Sequence, residues 1–325
     1  MSGPPAPSIW VLVDGRPGHD HQALGVADAL GWPFVVKPLR YGALARLPNR
    51  LLGPSTWGLR PAPRDLLAPP WPDLVISAGR RTVPVARWLR QRNAAVILTH
   101  LMWPGSTRDL DLVAVPEHDR VADQPGLLRT TGTPSRVTRA SLMAAAARLA
   151  PRLAALPRPR IACLVGGTRR RMRFAPSDAQ ALARRISGFA QAHGGSLLVT
   201  TSRRTGPACE QALARSIDVP HLLDRFGGGD CLYLGMLGCA DAVVVTADSA
   251  SLCSEACATG QPVFLDVAHR TGPRKLTRLH VRLDELGYLR PLGAPWPEVM
   301  PPPLDPAATV AAAIRDLLPR VGTPR

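Results

Sequence analysis

Pro151-Arg-Leu-Ala-Ala-Leu-Pro157-Arg-Pro159-Arg-Ile161-Ala-Cys-Leu-Val165-Gly166-Gly167-Thr168 holds the end of one pattern and the start of another. Its three prolines break any helix and favour an extended linker. The apolar run Ile161–Val165 then enters a double glycine, as a buried strand does when it turns into the helix of an α/β unit. A domain boundary is therefore expected in this stretch, with one domain over residues 1–150 and a second over 160–300. Residues 301–325 would form a C-terminal helix and tail.

The pattern on either side agrees. Upstream, strands are expected at Ile9–Val13, Phe34–Pro38, Asp73–Ser77, Ala95–Thr99 and Leu110–Val115. Helices fit Gln22–Leu30, Thr82–Arg92 and Arg139–Leu149, and Tyr41 to Pro72, rich in Pro, Gly and Arg, reads as an irregular excursion. Downstream come strands Ile161–Val165, Ser196–Thr200, Ala242–Thr246 and Pro262–Asp266, with helices at Ser177–His193, Pro207–Ser216, from Ser249 onward and at Ala307–Leu318. Strands alternating with helices predict parallel sheets with crossover helices. The fold class expected is α/β: two Rossmann-like domains facing each other across a cleft.

Composition narrows the class. Of 325 residues 46% are hydrophobic, enough for a core in each half. No stretch approaches the ~20 apolar residues of a membrane helix. Met1–Pro7 carries no basic residue before the short run Ile9–Val13, so a cytoplasmic chain without a signal peptide is expected. Cys163, Cys209, Cys231, Cys239, Cys253 and Cys257 show neither CxxC nor Cys/His spacing. They read as reduced thiols, and no metal site is expected. The net charge of +16 is carried by arginine except at Lys37 and Lys275. Aromatic residues do not interleave with the basic ones as in a stacking platform, so no nucleic-acid partner is expected. A basic surface does suit anionic lipids or phosphate-bearing substrates.

Four stretches carry residues suited to chemistry. Asp14-Gly-Arg-Pro-Gly18-His19-Asp20-His21-Gln22 follows the first strand and opens a helix; helix-start amides suit an anion, and His19 and Asp20 suit proton transfer. The alternative is a tight turn with Asp20 as a cap. Gly166-Gly167-Thr168, followed by three arginines, offers close backbone contact and guanidinium groups to a phosphate. Thr201 and Arg203, in Thr200-Thr-Ser-Arg-Arg204, offer a hydroxyl and a cation at the next strand end, although Ser/Thr there also cap helices. Thr246-Ala-Asp248-Ser249-Ala-Ser251-Leu-Cys-Ser-Glu255 then leads to Gly260-Gln-Pro262. Here Ser249, Ser251 and helix-start amides suit a diphosphate, and Glu255 a ribose; the plainer reading makes Ser249 or Ser251 a cap and Glu255 a capping-box acid.

The Gly18-His19 turn, Pro72-Asp-Leu-Val-Ile-Ser77-Ala-Gly79-Arg80-Arg81, Gly166-Gly167, and Asp248-Ser-Ala-Ser251 with Glu255 together resemble the Elm1 family, named for a plant mitochondrial-fission factor. The resemblance runs from about Ile9 to Asp266. That family is in turn similar to GT-B glycosyltransferases, notably the enzyme that adds N-acetylglucosamine to form lipid II, although the turn Asp14–His19 is less glycine-rich. The resemblance implies a metal-independent glycosyltransferase without a cofactor, its nucleoside-diphosphate sugar being a substrate. Gly166, Gly167, Ser249 and Ser251 would hold the diphosphate and Glu255 the ribose, while His19 or Asp20 would face an acceptor. A lipid-linked acceptor would place the chain at the inner face of a membrane. The alternative is a non-catalytic Elm1-like scaffold that keeps the fold. An NAD(P)-dependent epimerase or reductase is weakened by the missing GxGxxG and Tyr-x-x-x-Lys.

Overall fold

The computed structural model describes residues 6–61, 64–169, 172–227, 232–267 and 273–318; Arg170, Arg171 and Cys231 lie outside them. The chain divides into two compact units, residues 1–136 with 305–325, and residues 137–304.

The first unit is built on six parallel strands in the order β2-β1-β3-β4-β5-β6. These are β1 (Ile9–Val13), β2 (Phe34–Pro38), β3 (Leu74–Ala78), β4 (Ile97–Leu101), β5 (Leu112–Pro116) and β6 (Leu127–Thr130). Strand β1 pairs Ile9 with Phe34 on one side and with Leu74 on the other. All five β1 side chains are buried, as a central parallel strand covered on both faces requires. Helices α1 (Pro17–Leu30), α2 (Asn49–Leu52) and α3 (Val83–Arg92) connect the strands. Helix α1 starts five residues before its expected place because Pro17 fits the first helical turn, where its missing N–H costs nothing.

The second unit repeats the plan in the order β12-β11-β10-β7-β8-β9. Its elements are α4 (Arg139–Leu149), β7 (Arg160–Val165), α5 (Pro176–Ala192), β8 (Ser196–Thr201), α6 (Pro207–Ser216), β9 (His221–Asp224), α7 (Tyr233–Cys239), β10 (Ala242–Thr246), α8 (Ala250–Cys257), β11 (Val263–Asp266), α9 (Arg274–Glu285) and β12 (Leu289–Pro291). The α/β class and the two Rossmann-like units expected from the sequence are both present.

The units divide at 136/137 rather than in the proline-rich stretch. Helix α4 packs on α7 so closely that a β-carbon on Gly238 would lie 2.4 Å from the Leu142 carbonyl oxygen. The stretch after α4 is itself packed down: Leu153 is fully buried with Leu198 and Met236, and Arg160 Nη2 donates to its carbonyl at 2.7 Å. The chain then returns. Helix α10 (Pro306–Leu317) buries Ala307, Val310, Ala311 and Ile314 in the first unit's core, and Arg315 donates to the carbonyl of Ala29 at 2.8 Å. Of the stretch expected as a C-terminal helix and tail, 301–304 stay with the second unit and α10 completes the first, while 319–325 lie outside the described residues.

Candidate functional site

In an open parallel sheet, ligands bind beyond the carboxyl ends of the strands where the strand order reverses. In the first unit that point lies between β1 and β3, and in the second between β7 and β10. Each holds a cluster of the polar residues singled out above.

At the first point, the chain leaves β1 through Asp14, whose side chain is fully buried. Its Oδ2 lies 3.2 Å from Nδ1 of His19, and its Oδ1 accepts the Arg16 N–H at 3.1 Å. Burial alone would raise the Asp14 carboxyl, but hydrogen bonding and charge from His19, together with the Arg16 N–H and guanidinium, hold it below its ordinary value. An ionised Asp14 fixes the proton of His19 on Nδ1 and leaves Nε2 free to accept one. The His19 ring lies over Gly79, at the end of β3, where a β-carbon would meet Nδ1 at 2.3 Å. Asp20 has a different place: its Oδ1 accepts the Asp14 N–H at 2.9 Å, so it caps the turn. Burial, with the Asp14 charge adding to it, raises the Asp20 carboxyl above its ordinary value.

Sequence reasoning did not single out His100. It is fully buried on β4, with Nδ1 hydrogen-bonded to Ser77 Oγ at 2.8 Å and Nε2 without a partner among the described residues. Burial pushes its pKa down to about 3, so the ring stays neutral. A histidine beside Thr99, next to an apolar run, was the only signal for it.

At the second point, Asp248 is the hub. Its carboxylate accepts the Gly167 N–H at 3.1 Å, the Thr246 hydroxyl at 2.6 Å and the Arg204 guanidinium at 2.5 Å. Arg169 donates to its backbone carbonyl at 2.7 Å, and the Gly166 N–H goes to Thr246 Oγ1 at 2.9 Å. The glycines are required by this approach: a β-carbon on Gly166 would lie 2.0 Å from Asp248 Oδ1, and one on Gly167 2.2 Å from the Arg204 backbone. The adjoining pocket, lined by Gly167, Phe174, Thr246, Asp248 and Asp266, holds about 20 Å³, room for one water.

The remaining expected residues fall on both sides. Ser249 caps α8, accepting the Leu252 N–H at 3.4 Å, and Ser251 lies in its first turn. Glu255 is buried further along α8, accepts the Tyr233 hydroxyl and is pushed up to about 7 by burial, the Tyr233 bond working against that rise. Thr168 Oγ1 accepts the Phe174 N–H at 3.1 Å. Thr201 is spent within the fold: it donates to Glu210 Oε1 at 2.6 Å and accepts the Phe226 N–H at 2.9 Å. Arg203 is exposed, whereas its neighbour Arg204 makes the contact with Asp248.

The model of the family described as mitochondrial fission ELM1 matches residues 17–318. The chain belongs to that family. It is 29% identical over 275 residues to the mitochondrial fission protein ELM1 of Arabidopsis thaliana, an alignment covering 75% of the chain and 63% of the plant protein. The chain thus spans under two thirds of that relative. An uncharacterised protein of Rickettsia prowazekii, RP120, is 24% identical over 294 residues, covering 79% of the chain and 82% of the relative. Among solved structures, the UDP-GlcNAc 2-epimerase of Methanocaldococcus jannaschii aligns with a TM-score of 0.54 at 12% identity, covering 95% of the chain and 99% of the enzyme. At that identity the likeness is one of fold: two Rossmann-like units of the kind GT-B proteins share. No described helix of this ELM1-family chain is long and apolar enough to cross a membrane.

Proposed function

We propose that this ELM1-family chain is a metal-independent glycosyltransferase that takes a sugar from a nucleoside diphosphate, with UDP-N-acetylglucosamine the first donor to try because the similar epimerase is named for it. The observation that carries the reading is the Asp14–His19 pair. A buried carboxylate aims an imidazole, 18% exposed, at a strand-order switch point, and Gly79 leaves it the room. A fold kept only as a scaffold has no need of an oriented base.

In this reading His19 Nε2 takes the proton of an acceptor hydroxyl. The acceptor oxygen bonds to the anomeric carbon of the sugar, and the bond from that carbon to the diphosphate breaks. On the second unit the turn Ser249–Ser251 and the start of α8 receive the diphosphate, with Arg169 and Arg204 as cations in place of a metal. Glu255 accepts from the ribose. The acceptor belongs to the first unit, and a lipid-linked alcohol is the candidate class.

One observation favours the scaffold instead. The Gly166 and Gly167 N–H groups are already satisfied by Thr246 and Asp248, and the pocket beside them holds only about 20 Å³. Thermal melting of the protein with UDP, GDP, CDP, ADP, NAD and NADP, repeated on Glu255→Ala, separates the two. A ligand at about 100 times its Kd stabilises by roughly 2.7 kcal/mol. Stabilisation by one nucleoside diphosphate, lost in the variant, supports the transferase; no response to any nucleotide overturns it in favour of the scaffold.

A further inference from the structure

Four large apolar side chains stand exposed in one short stretch of the first unit: Leu44 at 52%, Leu47 at 40%, Leu51 at 62% and Trp57 at 72%. The stretch is an excursion closed at its base, where Tyr41 bridges Leu59 and the Arg60 N–H donates to the Arg40 carbonyl at 2.8 Å. It does have an inner side: Ala45 and Leu52 are buried. Arg80 holds that side, donating to the carbonyls of Leu47 at 2.5 Å and Ala45 at 2.7 Å, while Asn49 Nδ2 donates to the Arg80 carbonyl at 3.0 Å. The leucines and Trp57 are therefore displayed by a stretch whose shape is fixed.

The charge on the excursion identifies its partner. From Leu39 to Pro61 the sequence has Arg40, Arg46, Arg50 and Arg60 and no acidic residue. All four arginines are exposed, and none forms an ion pair among the described residues. A second copy packed on this surface would set arginine against arginine, so self-association is disfavoured. An anionic bilayer answers both features: leucines enter the acyl boundary, tryptophan lies at headgroup level, and arginines meet lipid phosphates.

We propose that the excursion 41–59 docks the first unit on an anionic lipid bilayer. This goes beyond the transferase reading and holds whether or not the chain transfers a sugar. The two are linked physically, because Arg80, which holds the excursion, follows Gly79, over which His19 lies. Docking would bring the Asp14–His19 pair to a surface where lipid-borne alcohols reside.

The test is co-sedimentation of the full chain with vesicles of phosphatidylcholine alone or with about a third phosphatidylglycerol, without nucleotide or acceptor. The expected result is binding to the anionic vesicles only, weakened by salt. Leu47→Gln/Leu51→Gln/Trp57→Gln should reduce it about tenfold or more with an unchanged melting temperature. Arg46→Gln/Arg50→Gln, which alters exposed charge alone, should do the same and covers the case in which the first variant fails to fold. Absence of wild-type binding overturns the proposal, as does binding that both variants retain. So does a wild-type dimer that the apolar variant turns into a monomer, since a second copy would then cover the surface. None of these outcomes bears on nucleotide binding.

Discussion

His19 lies against Gly79 so closely that a β-carbon on the glycine would come within 2.3 Å of the ring Nδ1 and 2.5 Å of Cε1. Gly79 also has φ +78°, a backbone conformation that costs a side chain strain. Gly79→Ala should therefore destabilise the first unit by about 2–3 kcal/mol and displace the His19 ring from Asp14. Urea unfolding gives the first quantity, and nitrogen chemical shifts of the His19 imidazole report the second. Unchanged values for both would mean that the ring moves aside freely and that the contact constrains nothing.

Asp14→Asn keeps the shape of the side chain and removes its charge. The amide can present N–H to His19 Nδ1, which then has to accept, moving the imidazole proton to the Nε2 that the base needs free. Sugar transfer should fall about 100-fold or more while donor affinity stays within about twofold. The comparison is of turnover and donor Kd in the two proteins. Equal turnover would remove the Asp14–His19 pair from the mechanism.

Much of this was legible in the sequence, and what escaped has physical causes. Strands β1 and β10 occupy the expected residues because buried parallel strands are continuous apolar runs, the exposed edge strand β2 because Phe34, Val35 and Val36 favour extended chain, and helices α4 and α6 because they carry clear start signals. Strand β12 escaped because Leu289–Pro291 is only three residues long, and β6 because Leu127–Thr130 contains a single arginine-broken apolar pair. Helix α9 hides its buried Leu276, Leu279 and Leu283 among arginines. In the candidate site His19, Gly166 and Gly167 stood out because a strand followed by glycines marks a turn. The role of Asp14 did not, since a carboxylate at the first position of a turn looks the same whether it faces solvent or a histidine. Nor did the pairing of Asp248 with Arg204, which joins residues 44 positions apart. Such contacts are set by sheet order, and local pattern holds no record of it.

Asp248 occupies the place of an anion in its own site, taking the Gly167 N–H and the Arg204 guanidinium. A diphosphate arriving there meets a like charge and donors already engaged. Asp248→Asn should therefore tighten binding of UDP by up to about tenfold, equivalent to ~1.4 kcal/mol, measured by calorimetry. It should also lower the melting temperature, because Arg204, its side chain 29% exposed, loses its ionic partner. Weaker UDP binding in the variant would show instead that Asp248 holds Arg204 in place for the phosphates.

Glu255 gives the protein a pH dependence whose sign is opposite to that of most carboxylates. Burial pushes its pKa up to about 7 from an unfolded value of 4.5, although the Tyr233 hydroxyl works against the rise. Between those values the folded chain keeps a proton that the unfolded chain has released. The stability this confers is complete below pH 4.5, declines as pH rises, and is gone above about 7. The penalty at pH 8 is on the order of 3 kcal/mol. Glu255→Gln does not titrate and its carbonyl can still accept from Tyr233, so the variant should melt several degrees above wild type at about pH 8 and level with it near pH 4.5. Melting curves across that range, taken as the difference between the two proteins, cancel every other titrating group. A constant difference would mean that Glu255 ionises as a solvated acid does, already open to a ribose. A difference that grows with pH would mean that a ligand has to draw a buried carboxyl out of its bond with Tyr233, and nucleotide affinity should then rise with pH through the same range.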